Sequence, residues 1–67
     1  MITLNGRASE LRAGASLADA LAQLGVALER RGVAVAVDGE VVPRREWESF
    51  ALCADARVEV LTAMQGG

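Results

Sequence analysis

Few residues in this sequence could take part in chemistry. They are the glycine pair Gly66-Gly67, the single thiol of Cys53, and seven basic residues that are all arginine. There is no histidine to act as a base, and one cysteine forms neither an internal disulfide nor, alone, a zinc or iron–sulfur site. No P-loop glycine pattern is present either. The chain is therefore expected not to be an enzyme, to bind no metal and to bind no cofactor of its own. Cys53 reads as a small buried hydrophobe in the loop before the last strand, with persulfide acceptance as the alternative.

The glycine pair reads differently. It carries no side chain to bury, and glycine loses the most backbone entropy on ordering, so residues 64–67 are expected to form a flexible tail. A frayed end is the plain reading. The sharper one is a carboxylate on a thin stalk that can enter a narrow site on another protein. Which of the two holds depends on what the preceding residues build.

At 67 residues there is room for one domain, expected over residues 1–63. A single core of that size gives only roughly 3–5 kcal/mol of net stability. A net charge of −2 argues against nucleic acid as partner and in favour of protein. No basic and apolar leader opens the sequence, and no apolar run reaches the roughly 18–20 residues of a membrane span, so a cytoplasmic monomer with Cys53 reduced is expected. With lysine absent, the one aliphatic amine is that of Met1.

The elements that must carry the tail follow from the periodicity. Met1 to Asn5 alternates as a strand with Ile2 and Leu4 on one face, and Asn5-Gly6 is a hairpin turn signal. A return strand is expected through Arg7 to Arg12. Ser16, with Asp19 three positions on, forms a capping box for a helix whose stripe is Leu17, Leu21, Leu24 and Leu28, with Gly25 as a stop signal. Val33 to Val37 is apolar throughout and β-branched at alternate positions, which predicts a central strand buried on both faces. Asp38-Gly39 turns it, and Pro43 ends the pairing that follows. Arg44 to Trp47 suits a short helical turn, with Trp47 as a core plug and Arg44, Arg45, Glu46 and Glu48 as a solvated rim able to steer docking. Leu52 to Ala56 is a loop, and Arg57 to Ala63 alternates as the last strand. Hairpin, helix, strand, turn and strand make a mixed sheet crossed by one helix.

The stretch Val35-Ala36-Val37-Asp38-Gly39-Glu40-Val41-Val42-Pro43-Arg44-Arg45-Glu46-Trp47, with Ile2-x-Leu4-Asn5-Gly6 and the Gly-Gly end, resembles the thiamin-pathway sulfur carriers of the ThiS family. The resemblance covers nearly the whole chain. It implies an α+β, ubiquitin-like β-grasp with a mixed four- to five-stranded sheet and one main helix. It further implies that Gly67 is the sulfur-carrying residue, adenylated and then converted to a thiocarboxylate, and that Gly66 and Gln65 thread into a partner's site. The implied partners are an E1-like adenylyltransferase of the ThiF type, which would use the ATP, a thiazole synthase of the ThiG type, and a persulfide donor such as a cysteine desulfurase. Carriers for molybdopterin, tRNA thiolation or another metabolite share such a tail. So do ubiquitin-like modifiers, and a regulatory β-grasp module is a further reading.

Overall fold

The computed structural model describes residues 1–62. Ala63, at the expected domain end, and the tail at 64–67 lie outside them. Strands β1 (Thr3–Leu4) and β2 (Arg7–Ala8) form the first hairpin, followed by helix α1 (Leu17–Gln23). Strands β3 (Val33–Val37) and β4 (Glu40–Val41) form the second hairpin, a 3₁₀ turn spans Arg44–Glu46, and β5 (Arg57–Thr62) comes last. The sheet order is β2-β1-β5-β3-β4. β5 runs parallel to β1, through Thr3↔Arg57 and Leu4↔Val58, and antiparallel to β3 from Val33↔Thr62 to Val37↔Val58.

Both predicted turns form. Asn5 and Gly6 have φ of 51° and 82°, and Asp38 and Gly39 have 51° and 87°. Two successive positive φ values give the two-residue turn whose twist matches a hairpin, and Asn, Asp and Gly adopt them at the least cost. The return strand stops at Ala8, short of the expected Arg12. At Ser9 the backbone N–H still donates to the carbonyl of Ile2, at 3.0 Å, but the side-chain Oγ donates to the same carbonyl, at 2.8 Å, and accepts from Leu11 N–H, where the pairing gives way. A hydroxyl bonded to nearby backbone competes with the ladder.

The capping box on α1 is complete, with Ser16 Oγ accepting from Asp19 N–H and Asp19 accepting from Ser16 N–H. The helix is shorter than the leucine stripe suggested. Leu24 is its C-cap, Gly25 follows at φ 74°, and Leu28 is a half-buried residue of the loop beyond. Leu17, Ala20 and Leu21 bury the helix face, against Ile2, Leu4, Val35, Val37, Val58 and Val60 of the sheet.

Trp47 is the plug expected of it, 2% exposed, with Nε1–H donating to Val42 O at 2.9 Å so that the indole is buried without an orphaned donor. β3 departs from expectation. Val35 and Val37 are buried and Val33 half-buried, but Ala34 is exposed on the other face. β5, not β3, takes the centre of the sheet, and α1 covers one face only, so the alternating alanines of β3 meet no second layer.

Candidate functional site

The residues assigned to chemistry, Gln65, Gly66 and Gly67, lie outside the described residues. What the structure does place is the strand that leads to them. β5 alternates buried and exposed, with Val58 and Val60 in the core and Arg57, Glu59 and Leu61 on the opposite face. Neighbouring strands hold its backbone on both sides. Its C-terminal end, at Thr62, pairs with Val33, the first residue of β3.

Among the described residues, none covers the face of the sheet away from α1. Register puts Ala34 beside Leu61, and Ala36 between Glu59 and Val41. Leu61 and Val41 are 70% and 76% exposed, so an apolar strip of small and branched side chains runs to the end of β5 from which the chain departs. Arg57 and Glu59 form its polar flank and share two shallow depressions with Asp38 and Gly39 on one side and Thr3 and Gly6 on the other. Exposed apolar residues in contact mark a surface that can be covered by another protein.

Side-chain groups reinforce the strand from either side. Asn5 Oδ1 accepts from Val60 N–H at 2.7 Å, and Asn5 Nδ2 donates to Val60 O at 3.3 Å. Asp38 Oδ1 accepts from Arg57 N–H at 3.0 Å, while Asp38 N–H donates to Arg57 O at 2.8 Å. Sequence reading assigned Asn5 and Asp38 to turns alone. The signal for a further role was that the first turn residue is in each case one with a hydrogen-bonding side chain.

Two other expectations change. Cys53 is exposed, not buried, because the loop turns Leu52 and Ala56 into the core and leaves Cys53 between them facing out. Arg44 is not a free rim charge. Its guanidinium lies over the Trp47 ring, 4.6 Å from the centroid, and donates to the carbonyls of Leu28 and Arg30, fastening the loop between α1 and β3. Arg45, Glu46 and Glu48 are exposed as expected. The Met1 ammonium group pairs with Asp55, and its hydrogen bond, followed by its charge, holds that carboxyl below the ordinary carboxylate value. Among the described residues no His, Cys, Asp and Glu cluster could hold a metal, and no helix is long and apolar enough to cross a membrane.

A mixed five-stranded sheet with one helix across a single face, and its last strand in the middle, defines a ubiquitin-like β-grasp domain. Solved structures carry the likeness further. The crystal structure of a thiamine biosynthesis protein, ThiS, from Geobacter metallireducens superposes with a TM-score of 0.73 at 28% identity, over 98% of this chain and 97% of that one. An NMR solution structure of a thiamine biosynthesis protein from the same organism gives 0.73 at 29% identity, over 98% and 86%. No curated protein matches the chain significantly. The ThiS family profile matches residues 2–67, and the chain belongs to that family, small sulfur carriers of thiamine biosynthesis rather than catalysts.

Proposed function

We propose that this chain carries sulfur to the thiazole of thiamine as a thiocarboxylate on Gly67, with Gly66 and Gln65 forming the stalk that enters each partner's site. The observation that carries this reading is the family match through residue 67, which includes the Gly-Gly end. A carboxylate with a pKa of about 3.3–3.7 is an anion at neutral pH and a poor electrophile, so it needs activation. An E1-like adenylyltransferase of the ThiF type supplies it. A Gly67 carboxylate oxygen attacks the α-phosphorus of ATP, pyrophosphate leaves, and the acyl-adenylate forms. A persulfide from a donor such as a cysteine desulfurase displaces AMP. A second thiol then cleaves the S–S bond, releasing the thiocarboxylate and leaving a disulfide on the donor side. A thiazole synthase of the ThiG type consumes the sulfur. ATP is bound by the partner and not by this chain, and the reactions take place in the cytoplasm.

Glycine suits the handle because no Cβ crowds the carbonyl under attack and the backbone can extend through a constricted channel. The apolar strip of Ala34, Ala36, Val41 and Leu61, at the root of the stalk, supplies the docking face for the adenylyltransferase. Intact mass of the protein from its own cells tests the reading: sulfur in place of one terminal oxygen adds about 16 Da. Gly67→Ala is expected to slow adenylation sharply with the fold intact, and deletion of Gly67 to abolish loading. Normal loading of either variant by the adenylyltransferase, ATP and a persulfide donor would overturn the assignment. Transfer to a thiazole synthase in vitro separates the thiamine route from molybdopterin or tRNA thiolation.

A further inference from the structure

β1 is two residues long and leaves β5 early. Their last main-chain bond runs from Asn5 N–H to Val58 O, at 2.8 Å, and the chain then turns away at Asn5-Gly6. On this side of β5 the backbone groups of alternate residues, Val58, Val60 and Thr62, point toward β1, and beyond Val58 no strand among the described residues meets them. The Asn5 carboxamide takes the vacant place. Its Oδ1 receives Val60 N–H and its Nδ2 donates to Val60 O, so one side chain reproduces both halves of a peptide group's pairing. The positive φ of Asn5, 51°, lets the residue turn the backbone away while the side chain remains beside β5.

From these contacts we infer that Asn5 is a positioning residue for sulfur loading: it fixes the root of the Gly67 stalk. The inference rests on the carrier reading above. Gly67 follows Thr62 by five positions, which at most roughly 3.3–3.6 Å each reach about 17 Å. A stalk so short delivers its carboxylate to a partner's active site only while the sheet end is docked in one orientation. With the Asn5 pairing present, β5 is held on both sides as far as Val60, by β3 and by the carboxamide. Without it, residues 60–62 are held by β3 alone, and the competent orientation becomes a fraction of the population, which raises the apparent dissociation constant by the inverse of that fraction. Once the carrier is bound and the stalk seated, the chemistry at Gly67 proceeds as before.

Asn5→Gly keeps the positive φ and removes both bonds. Asn5→Asp keeps the φ and the shorter bond, from Val60 N–H, and loses the donor. In ATP-dependent adenylation by the ThiF-type enzyme, Asn5→Gly is expected to raise KM for the carrier about fivefold with kcat within about twofold, consistent with the loss of one net hydrogen bond. Asn5→Asp is expected to fall between it and the wild type. Amide exchange followed by NMR is expected to quicken at Val60, whose N–H donates to Asn5 Oδ1, and to stay unchanged at Leu21 and Val35. Unchanged exchange at Val60, an unchanged KM, or a fall in kcat alone would each overturn the inference. Failure of the wild-type chain to be adenylated would overturn the carrier reading, and with it the role of Asn5 in loading, whereas the exchange measurement needs no partner and still decides whether Asn5 holds β5.

Discussion

The turns at Asn5-Gly6 and Asp38-Gly39 share a backbone shape and differ in what their side chains do. Each lies beside β5, on opposite sides, and each sends its first side chain to the backbone of that strand. Asp38 acts at Arg57, where β5 begins. A carboxylate only accepts, so it takes the Arg57 N–H while its own backbone N–H serves the Arg57 carbonyl. Asn5 acts at Val60, past the end of β1, where no backbone group of its own is in reach, so a carboxamide with both donor and acceptor is required. Similar turn chemistry thus closes the start of the strand with an acid and its far half with an amide.

Replacing each first turn residue by valine tests the shared part. A β-branched residue at φ near 51° adds strain to the lost hydrogen bonds, so Asn5→Val is expected to cost about 3 kcal/mol and Asp38→Val about 2 kcal/mol in urea unfolding. For a domain of this size the first of these approaches the whole net stability. Equal losses would mean that the side-chain pairing at Val60 adds nothing to the turn. Exchanging acid and amide tests the difference at smaller scale. Asn5→Asp removes a donor in use and is expected to cost about 1 kcal/mol, whereas Asp38→Asn keeps the acceptor and is expected to cost less than about 0.5 kcal/mol. The reverse order would break the comparison.

The smallest effect is expected outside both turns, at the pair between the Met1 ammonium group and Asp55. The Asp55 carboxyl is held low in the folded state, so its stabilisation is present above the unfolded value of about 3.9 and is lost as pH falls through the lower folded value. Both partners are exposed, which keeps the effect small and screened by salt. Asp55→Asn is expected to flatten the acid limb of stability against pH below that value and to leave the neutral region nearly unchanged. Urea midpoints across the acid range check it.

Much of this arrangement was legible residue by residue. Asn-Gly and Asp-Gly announce positive φ, Ser16 with Asp19 announces a helix start, and Trp47 had little choice but the core of so small a chain. Local chemistry settles such features. What could not be read was which distant backbone the turn side chains would reach, since Val60 lies 55 positions from Asn5. Gly25 marked the end of α1 correctly, and only the leucine spacing, which runs on to Leu28, pointed past it. The alanines of β3 misled for a related reason: an unbroken apolar run looks doubly buried, but only the placing of the helix decides which face is covered. Cys53 turned outward because Leu52 and Ala56 filled the space on either side of it. As for the site, the end glycines stand out in the sequence by what they lack and lie outside the described residues, while the placing of β5, which leads toward them, depended on the order of strands.

That order also bears on how the chain acquires its shape. The two hairpins touch through β5, which stands between β1 and β3 and is the last of the five strands to be synthesised. Until it arrives, each hairpin is an isolated pair with two-residue ladders, too small to persist in water. The parallel pairing of Thr3 with Arg57 closes a loop of more than 50 residues, a non-local contact of the kind that slows folding toward the millisecond-to-second range. Completing the sheet and setting the path of the chain toward residues 63–67 are therefore one event: the strand that closes the sheet is the strand that leads to them.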